Sequence, residues 1–120
     1  MTGRVTGLGG VFFRAEDPEA LAAWYDTHFG ITPNGPWPQE AGISVLGLFE
    51  RDSDYWPAVR PFMMNFRIEG LDAMIARLRE AGVAVEVNPD WDMPEIGRFA
   101  RVRDPEGNPI ELWEPAAGPA

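Results

Sequence analysis

The chain has 120 residues, a formal net charge of −9, 45% hydrophobic residues and no cysteine. This length indicates one globular domain, or two small half-domains sharing a core, that needs no disulfide to fold. The composition excludes disulfides and cysteine chemistry, and the acidic balance argues against nucleic acid or an anionic membrane surface as a partner.

Membrane insertion and secretion are also not expected. No apolar run approaches the roughly 20 residues of a membrane span. The early apolar segment Val11–Phe13 is too short for the core of a signal peptide. We therefore expect a soluble cytoplasmic protein.

The first half of the chain predicts a strand, a helix and a further strand. Val5–Ala15 is rich in Gly, Val and Phe and favours a strand. Asp17 and Pro18 suit a helix start, because Asp caps free N–H groups and Pro fits the first helical position. Gly30 suits the helix end. A proline-rich segment follows, and Ile43–Glu50 predicts the next strand.

The second half repeats this order. Phe62–Ile68 alternates as a strand, and a helix with an apolar stripe begins at Leu71 and ends at Gly82. Val83–Val87 and Arg98–Arg103 predict two further strands, separated by a loop.

A repeat relates the two halves. The Phe-Arg pair that begins at Phe13 recurs at Phe66, 53 positions later, and several helix residues match at the same offset. Repeated strand–helix–strand units of this size indicate two similar halves within one chain. We expect modules at about residues 5–60 and 61–114 of a single domain.

The segment Arg101–Pro115 predicts a hairpin. Pro105 and Gly107 favour a turn, and the strand after it alternates so that Glu111 and Trp113 share one face. If that face is covered, a carboxylate there needs a partner, a metal or a ligand. The alternative is an ordinary solvent-facing glutamate on a half-exposed strand.

With two such halves and the closing motif Asp-Pro-Glu-Gly-Asn-Pro-Ile-Glu-Leu-Trp, the chain resembles the glyoxalase/bleomycin-resistance/dioxygenase family, also called the vicinal oxygen chelate proteins. Residues 12–25, 66–73 and 104–113 carry the resemblance. It implies an α+β fold in which two βαβββ modules form a cupped mixed sheet with helices outside. It also implies a homodimer, since many members are dimers.

The resemblance also locates the metal ligands of metal-using members. They correspond to Gly10, Gly47, Met63 and Glu111, of which only Glu111 is a suitable ligand. The one histidine, His28, lies on the first predicted helix, so a two-histidine site within one chain is impossible. We expect no cofactor, although a divalent metal held by unusual ligands stays open.

The cavity face of the implied fold supplies the other candidates. The residues expected to bind a ligand are Phe12, Arg14, Met63, Asn65, Arg67 and Trp113. Arg14 and Arg67 can bind an acidic ligand or pair with Glu111 or Glu16, and Arg98 is a further candidate partner for Glu111. Four loop aromatics either rim the pocket or close the core ends or a dimer interface: Trp37, Tyr55, Trp56 and Trp91.

Three functions follow from this reading. The first is binding of a small, partly aromatic or amphipathic molecule in the cavity without metal, as drug-sequestering relatives do. The second is a metal-dependent lyase, isomerase or dioxygenase with unusual ligands. The third is a metal-independent enzyme that uses Glu111 as its general base.

Overall fold

A mixed four-stranded sheet and two helices form the fold. The computed structural model describes residues 3–117. In chain order the elements are α1 (Pro18–Phe29), β1 (Met64–Arg67), α2 (Leu71–Glu80), β2 (Glu86–Val87), a single 3-10 turn (Pro89–Trp91), β3 (Gly97–Arg103) and β4 (Pro109–Pro115). The strand order is β1-β4-β3-β2, with β1 parallel to β4 and the other pairs antiparallel. The predicted α+β class is confirmed.

The predicted hairpin joins β3 to β4. The Asp104 carboxylate accepts the backbone N–H groups of Glu106 and Asn108 at 2.9 and 3.0 Å. Gly107 has a φ of 84°, a left-handed conformation that glycine adopts without a Cβ clash. This turn sets the register, in which Arg101 lies opposite Glu111.

A glycine lies at one end of each helix, after α1 and before α2. α1 starts at Asp17, whose side chain accepts the Ala20 N–H at 3.1 Å, and ends at Gly30 in the left-handed conformation. α2 follows Gly70, which has no side chain for capping. Instead, the Glu114 carboxylate of β4 accepts the Gly70 N–H at 3.0 Å. The start of α2 is therefore fixed partly by β4.

The core lies between the helices and one face of the sheet. Along each strand, the residues that face this core alternate with residues on the other side of the sheet, which we call the open face. The buried apolar side chains are Leu21, Tyr25, Ile68, Leu71, Ile75, Leu78, Ala100, Val102, Ile110 and Leu112. Neither helix in the described residues is long and apolar enough to cross a membrane. A cytoplasmic location stays a prediction.

The strand predictions for the first half are wrong for this structure. Val5–Ala15 and Ile43–Glu50 belong to no strand. In the second half, the predicted strand Val83–Val87 shortens to its last two residues. A strand forms only where a neighbour accepts and donates its backbone hydrogen bonds, and the described residues supply no such neighbour to these segments. The division into two modules stays a prediction.

Candidate functional site

Glu111 lies in the middle of β4 on the open face. The residue is only 7% exposed. Asn65 of β1, directly beside it in the register, donates a 2.7 Å hydrogen bond from Nδ2 to Oε1. The hydroxyl group of Tyr55 donates to Oε2. Both carboxylate oxygens are therefore held by uncharged donors, which reduces the cost of burying the charge.

Arg101 lies opposite Glu111 on β3 and is only 5% exposed. Its Nη2 donates to the backbone oxygen of Tyr55 at 3.1 Å. The guanidinium carbon lies 4.9 Å from the ring centroid of Tyr55 and 5.2 Å from that of Trp91, within cation–π range. Nε is buried and has no hydrogen-bond partner among the described residues. In residues 3–117 no ion pair joins Arg101 to Glu111.

Tyr55 connects the two charged residues. Burial raises the pKa of its hydroxyl group to about 12, and the hydrogen bond from that group to Glu111 acts in the same direction. The charge of Arg101 opposes these effects. Tyr55 therefore stays protonated near neutral pH and remains a donor to Glu111.

Aromatic side chains surround this contact. The ring of Phe49 stacks on Tyr55 with centroids 5.4 Å apart and planes 12° apart. The ring of Trp91 meets Tyr55 edge to face at 6.3 Å. Farther along the open face, Trp113 stacks on Phe99 at 6.4 Å. The site thus combines apolar aromatic area with few polar groups, the usual composition of small-molecule sites.

The other predicted ligand-binding residues are scattered. Phe12 is 92% exposed and Arg14 is exposed as well, whereas Met63 is half-buried. Arg67 donates to the backbone oxygen of Glu40 at 2.8 Å, and Trp113 donates from Nε1 to the backbone oxygen of Ile96 at 2.9 Å. Of the predicted set, the structure brings Asn65 alone to Glu111; a ligand-binding role for the set stays a prediction.

The prediction that Arg67 or Arg98 pairs with Glu111 is wrong. Arg98 points to the helix side of the sheet, where it bonds Asp72 at 2.8 Å. The reason is strand alternation, since Arg98 pairs with Glu114 and so lies on the face opposite Glu111. Arg67 is engaged with a loop carbonyl. Glu111 is satisfied by Tyr55 and Asn65 instead.

Of the site residues, Arg101 was not predicted, and Tyr55 was predicted only as one of four loop aromatics that rim the pocket or close the core ends or a dimer interface. Arg101 was identifiable, because a hairpin that turns through Asp104–Asn108 places Arg101 opposite Glu111. Tyr55 gives no comparable signal, since it lies in an irregular connector whose path depends on tertiary contacts. Two open clefts, one beside α2 at Arg79 and one beside β2 that Arg101 also lines, do not include Glu111.

The sequence matches the model of a known family. Residues 10–113 match the glyoxalase-like domain. The chain belongs to this family. This glyoxalase-like domain is also 28% identical over 109 residues to the "Putative glyoxylase CFP32" of Mycobacterium tuberculosis and of Mycobacterium bovis. The match covers 84% of the domain and 41% of the relatives, so the chain spans less than half of their length.

Three solved structures are similar to the glyoxalase-like domain. A glyoxalase/bleomycin resistance protein from Streptomyces sp. CB03234 is 38% identical, with a TM-score of 0.34 over 45% of this chain and 46% of that one. TnmS3, an antibiotic binding protein from the same strain, is 26% identical, with a TM-score of 0.45 over 83% and 88%. The oxidase ChaP-H2 is 21% identical, with a TM-score of 0.48 over 87% and 89%.

The donor set at the implied metal positions does not suit a divalent cation. Gly10 and Gly47 have no donor side chain, and the thioether of Met63 is too soft for Zn, Mn or Mg. The remaining position, Glu111, has both oxygens engaged by neutral donors. Within residues 3–117, no three acidic, histidine or cysteine side chains are grouped so that they could hold a metal ion.

Proposed function

We propose that this glyoxalase-like domain binds a small aromatic or amphipathic molecule on the open face at Glu111, without a metal ion. One observation carries the proposal. A buried glutamate in mid-strand is held, within residues 3–117, only by the uncharged donors Tyr55 and Asn65, and aromatic rings surround it. Such a carboxylate accepts a hydrogen bond from any ligand group that replaces one of these donors.

The chemistry of the site favours reversible binding. Tyr55 lies in the connector between α1 and β1 that contains no helix or strand, so it can leave Glu111 without breaking the sheet. A ligand that takes its place gains aromatic contact area and a charge-assisted hydrogen bond. The requirement for a donor group gives the site selectivity among apolar molecules.

Two alternatives from the same family are enzymes. A metal-independent enzyme would use Glu111 as its general base, and Tyr55 or Asn65 would then have to release an oxygen before proton transfer. A metal-dependent lyase, isomerase or dioxygenase would need ligands other than the implied four positions. The donor set at the four implied positions argues against the metal-dependent reaction, and turnover separates the metal-independent enzyme from a binding protein.

We also propose that the domain acts as a homodimer. Two segments expose large apolar side chains that have no cover in the described residues. They are Val5, Leu8, Val11 and Phe12 in one segment, and Ile43, Val45, Leu46 and Leu48 in the other. Exposed apolar side chains in such number favour an interface, and a symmetric pair is the commonest closed assembly.

A thermal-shift screen with a panel of small aromatic compounds tests the binding proposal. A ligand raises the stability of the form that binds it, so compounds that bind at Glu111 should stabilise the wild type. They should not stabilise Glu111→Gln, whereas Glu80→Gln, which changes an exposed glutamate at the end of α2, should respond like the wild type. Equal responses of Glu111→Gln and the wild type would place binding elsewhere.

Turnover separates the binding protein from the enzymes. The compounds that bind should be recovered unchanged after incubation with the wild type. Conversion by the wild type that is lost in Glu111→Gln, with ligand binding intact, would establish the general-base enzyme instead.

A further inference from the structure

Arg101 is a buried cation without an anionic partner. It is 5% exposed, forms no ion pair within the described chain, and keeps Nε without an acceptor. A buried charge normally has a partner of opposite charge and a full set of hydrogen bonds. Its cross-strand neighbour Glu111 does not fill this role, because no ion pair joins the two residues in residues 3–117 and the Glu111 carboxylate accepts from Tyr55 and Asn65 instead.

Tyr55 makes three different contacts with this pair of charges. Its hydroxyl group donates to Glu111, its backbone oxygen accepts from Arg101 Nη2, and its ring faces the guanidinium group. A molecule that displaces Tyr55 must replace the donor at Glu111 and the acceptor at Arg101, and it must fit between aromatic rings. The unpartnered Nε calls for a second acceptor that Tyr55 does not provide.

We infer that Tyr55 occupies the place of an aromatic ligand that carries both a hydroxyl group and an anionic oxygen, the chemistry of a hydroxybenzoate. The hydroxyl group donates to Glu111, and the anionic group accepts from Arg101, including Nε. This inference rests on the proposed function and adds the class of ligand. It also assigns Arg101 as the residue that selects an anion.

The arrangement of the strands suits one small ring. Arg101 and Glu111 are direct cross-strand partners on the same face, so their Cα atoms are about 5 Å apart. A benzene ring with two polar substituents is large enough to reach the Arg101 and Glu111 side chains at the same time. Trp91 lies against the guanidinium group and packs edge to face on Tyr55.

NMR titration of the full chain with five compounds tests the inference. The probes are the three hydroxybenzoate isomers, phenol and benzoate, with the Trp91 indole N–H as the reporter. Phenol lacks the anionic group and benzoate lacks the hydroxyl group, so each loses one of the two charge-assisted hydrogen bonds. At least one isomer should therefore bind about tenfold more tightly than either compound. Equal affinity for phenol and for the best isomer would overturn the role of Arg101.

Two variants assign each end of the ligand. In Arg101→Gln, the preferred isomer should bind no more tightly than phenol, while Arg98→Gln, which changes an exposed arginine on the other face, should bind like the wild type. In Tyr55→Phe, the competing hydroxyl group is absent, so the preferred isomer should bind several-fold more tightly than it binds the wild type. Unchanged affinity of the preferred isomer in both site variants contradicts the inference.

The failure of this inference is distinct from that of the proposed function. If no hydroxybenzoate binds, while other aromatic compounds stabilise the wild type but not Glu111→Gln, the binding site stands and the ligand class is wrong. If Arg101→Gln does not fold, two measurements still test the inference. They are the affinity of Arg101→Lys for the preferred isomer, and the comparison of phenol with the hydroxybenzoates in the wild type.

Discussion

The hydroxyl group of Tyr25 on α1 donates a 2.8 Å hydrogen bond to Oδ2 of Asp104, in the turn between β3 and β4. Both residues are buried, with exposures of 6% and 4%. The same carboxylate accepts two backbone N–H groups of the turn and the side-chain amide of Asn108. One aspartate therefore joins the first helix to the turn that places Glu111.

The first prediction concerns this contact. Tyr25→Phe should lower the free energy of unfolding by about 1–2 kcal/mol, because it removes one buried hydrogen bond. Asp104→Ala should cost more, about 3 kcal/mol or above, because several donors then lose their acceptor. Urea denaturation measures both. Asp26→Ala, at an exposed position of α1, should stay close to the wild type, and equal stability of Tyr25→Phe would refute the prediction.

The second prediction concerns the start of α2. Because Gly70 has no capping side chain, the Glu114 carboxylate accepts its N–H group and lies at the positive end of the helix dipole. Glu114→Ala should lower the free energy of unfolding by about 1 kcal/mol. Glu80→Ala at the other end of α2 should have little effect. Chemical denaturation of both variants is the measurement, and an unchanged Glu114→Ala contradicts this capping role.

The third prediction concerns alkaline pH. The chain has two tyrosines, and burial raises the pKa of both hydroxyl groups above the ordinary value of 10.0, that of Tyr55 to about 12. A raised folded-state pKa means that the folded protein holds the proton more tightly. Its contribution to stability is therefore complete below about pH 10 and is lost as pH rises toward about 12.

Tyrosinate absorbance and denaturation as a function of pH check this behaviour. Neither tyrosine should ionise near pH 10 in the folded wild type, and ionisation should accompany unfolding at higher pH. Tyr55→Phe should lose less stability across the same pH range. A normal phenol titration at pH 10 in the folded protein would show that Tyr55 is not buried against Glu111.

The sequence predicts one half of this fold better than the other. Alternation along the last strand correctly separated Glu111 and Trp113 from the core residues Ile110 and Leu112, because side chains on a strand point alternately to the two faces. Both helices follow from their glycine and aspartate boundaries and their spacing. These features depend on residues close together in the chain.

The rest depends on contacts between distant segments. Tyr55 reaches Glu111 from 56 positions away in the sequence, through an irregular connector. Arg67 and Arg98 are arginines like Arg101, and only the sheet register decides which of them lies beside Glu111. The strands predicted in the first half are wrong because composition shows which residues suit a strand but does not supply the neighbour that a strand needs.

The fourth prediction concerns metal content. Elemental analysis after purification without chelators should find far less than one equivalent of Zn, Mn, Ni or Fe per chain, because the four implied positions offer one carboxylate. One equivalent that disappears in Glu111→Ala would establish a metal site with unusual ligands. Added divalent metals should also leave the thermal stability of the wild type unchanged.

The fifth prediction concerns assembly. Sedimentation at micromolar concentration should give twice the 13.3 kDa mass of one chain. Leu48→Asp should shift the protein to monomers, since Leu48 is 87% exposed in a single chain and lies in a proposed interface segment. Val59→Asp, 83% exposed but outside both segments, is the matched control. A wild type that sediments only as 13.3 kDa would count decisively against the dimer.

The position of β4 has a consequence for how the protein is made. β4 lies between β1 and β3 in the sheet although it is the last of the four strands in the sequence. During synthesis at about 5–20 residues per second, β1 leaves the ribosome seconds before its partner does. Until residue 115 has emerged, the nascent chain carries β1 with an unpaired edge and Arg101 without its neighbouring strand. Ribosomes that stall before β4 has emerged should therefore hold a chain that chaperones and proteases recognise as unfolded.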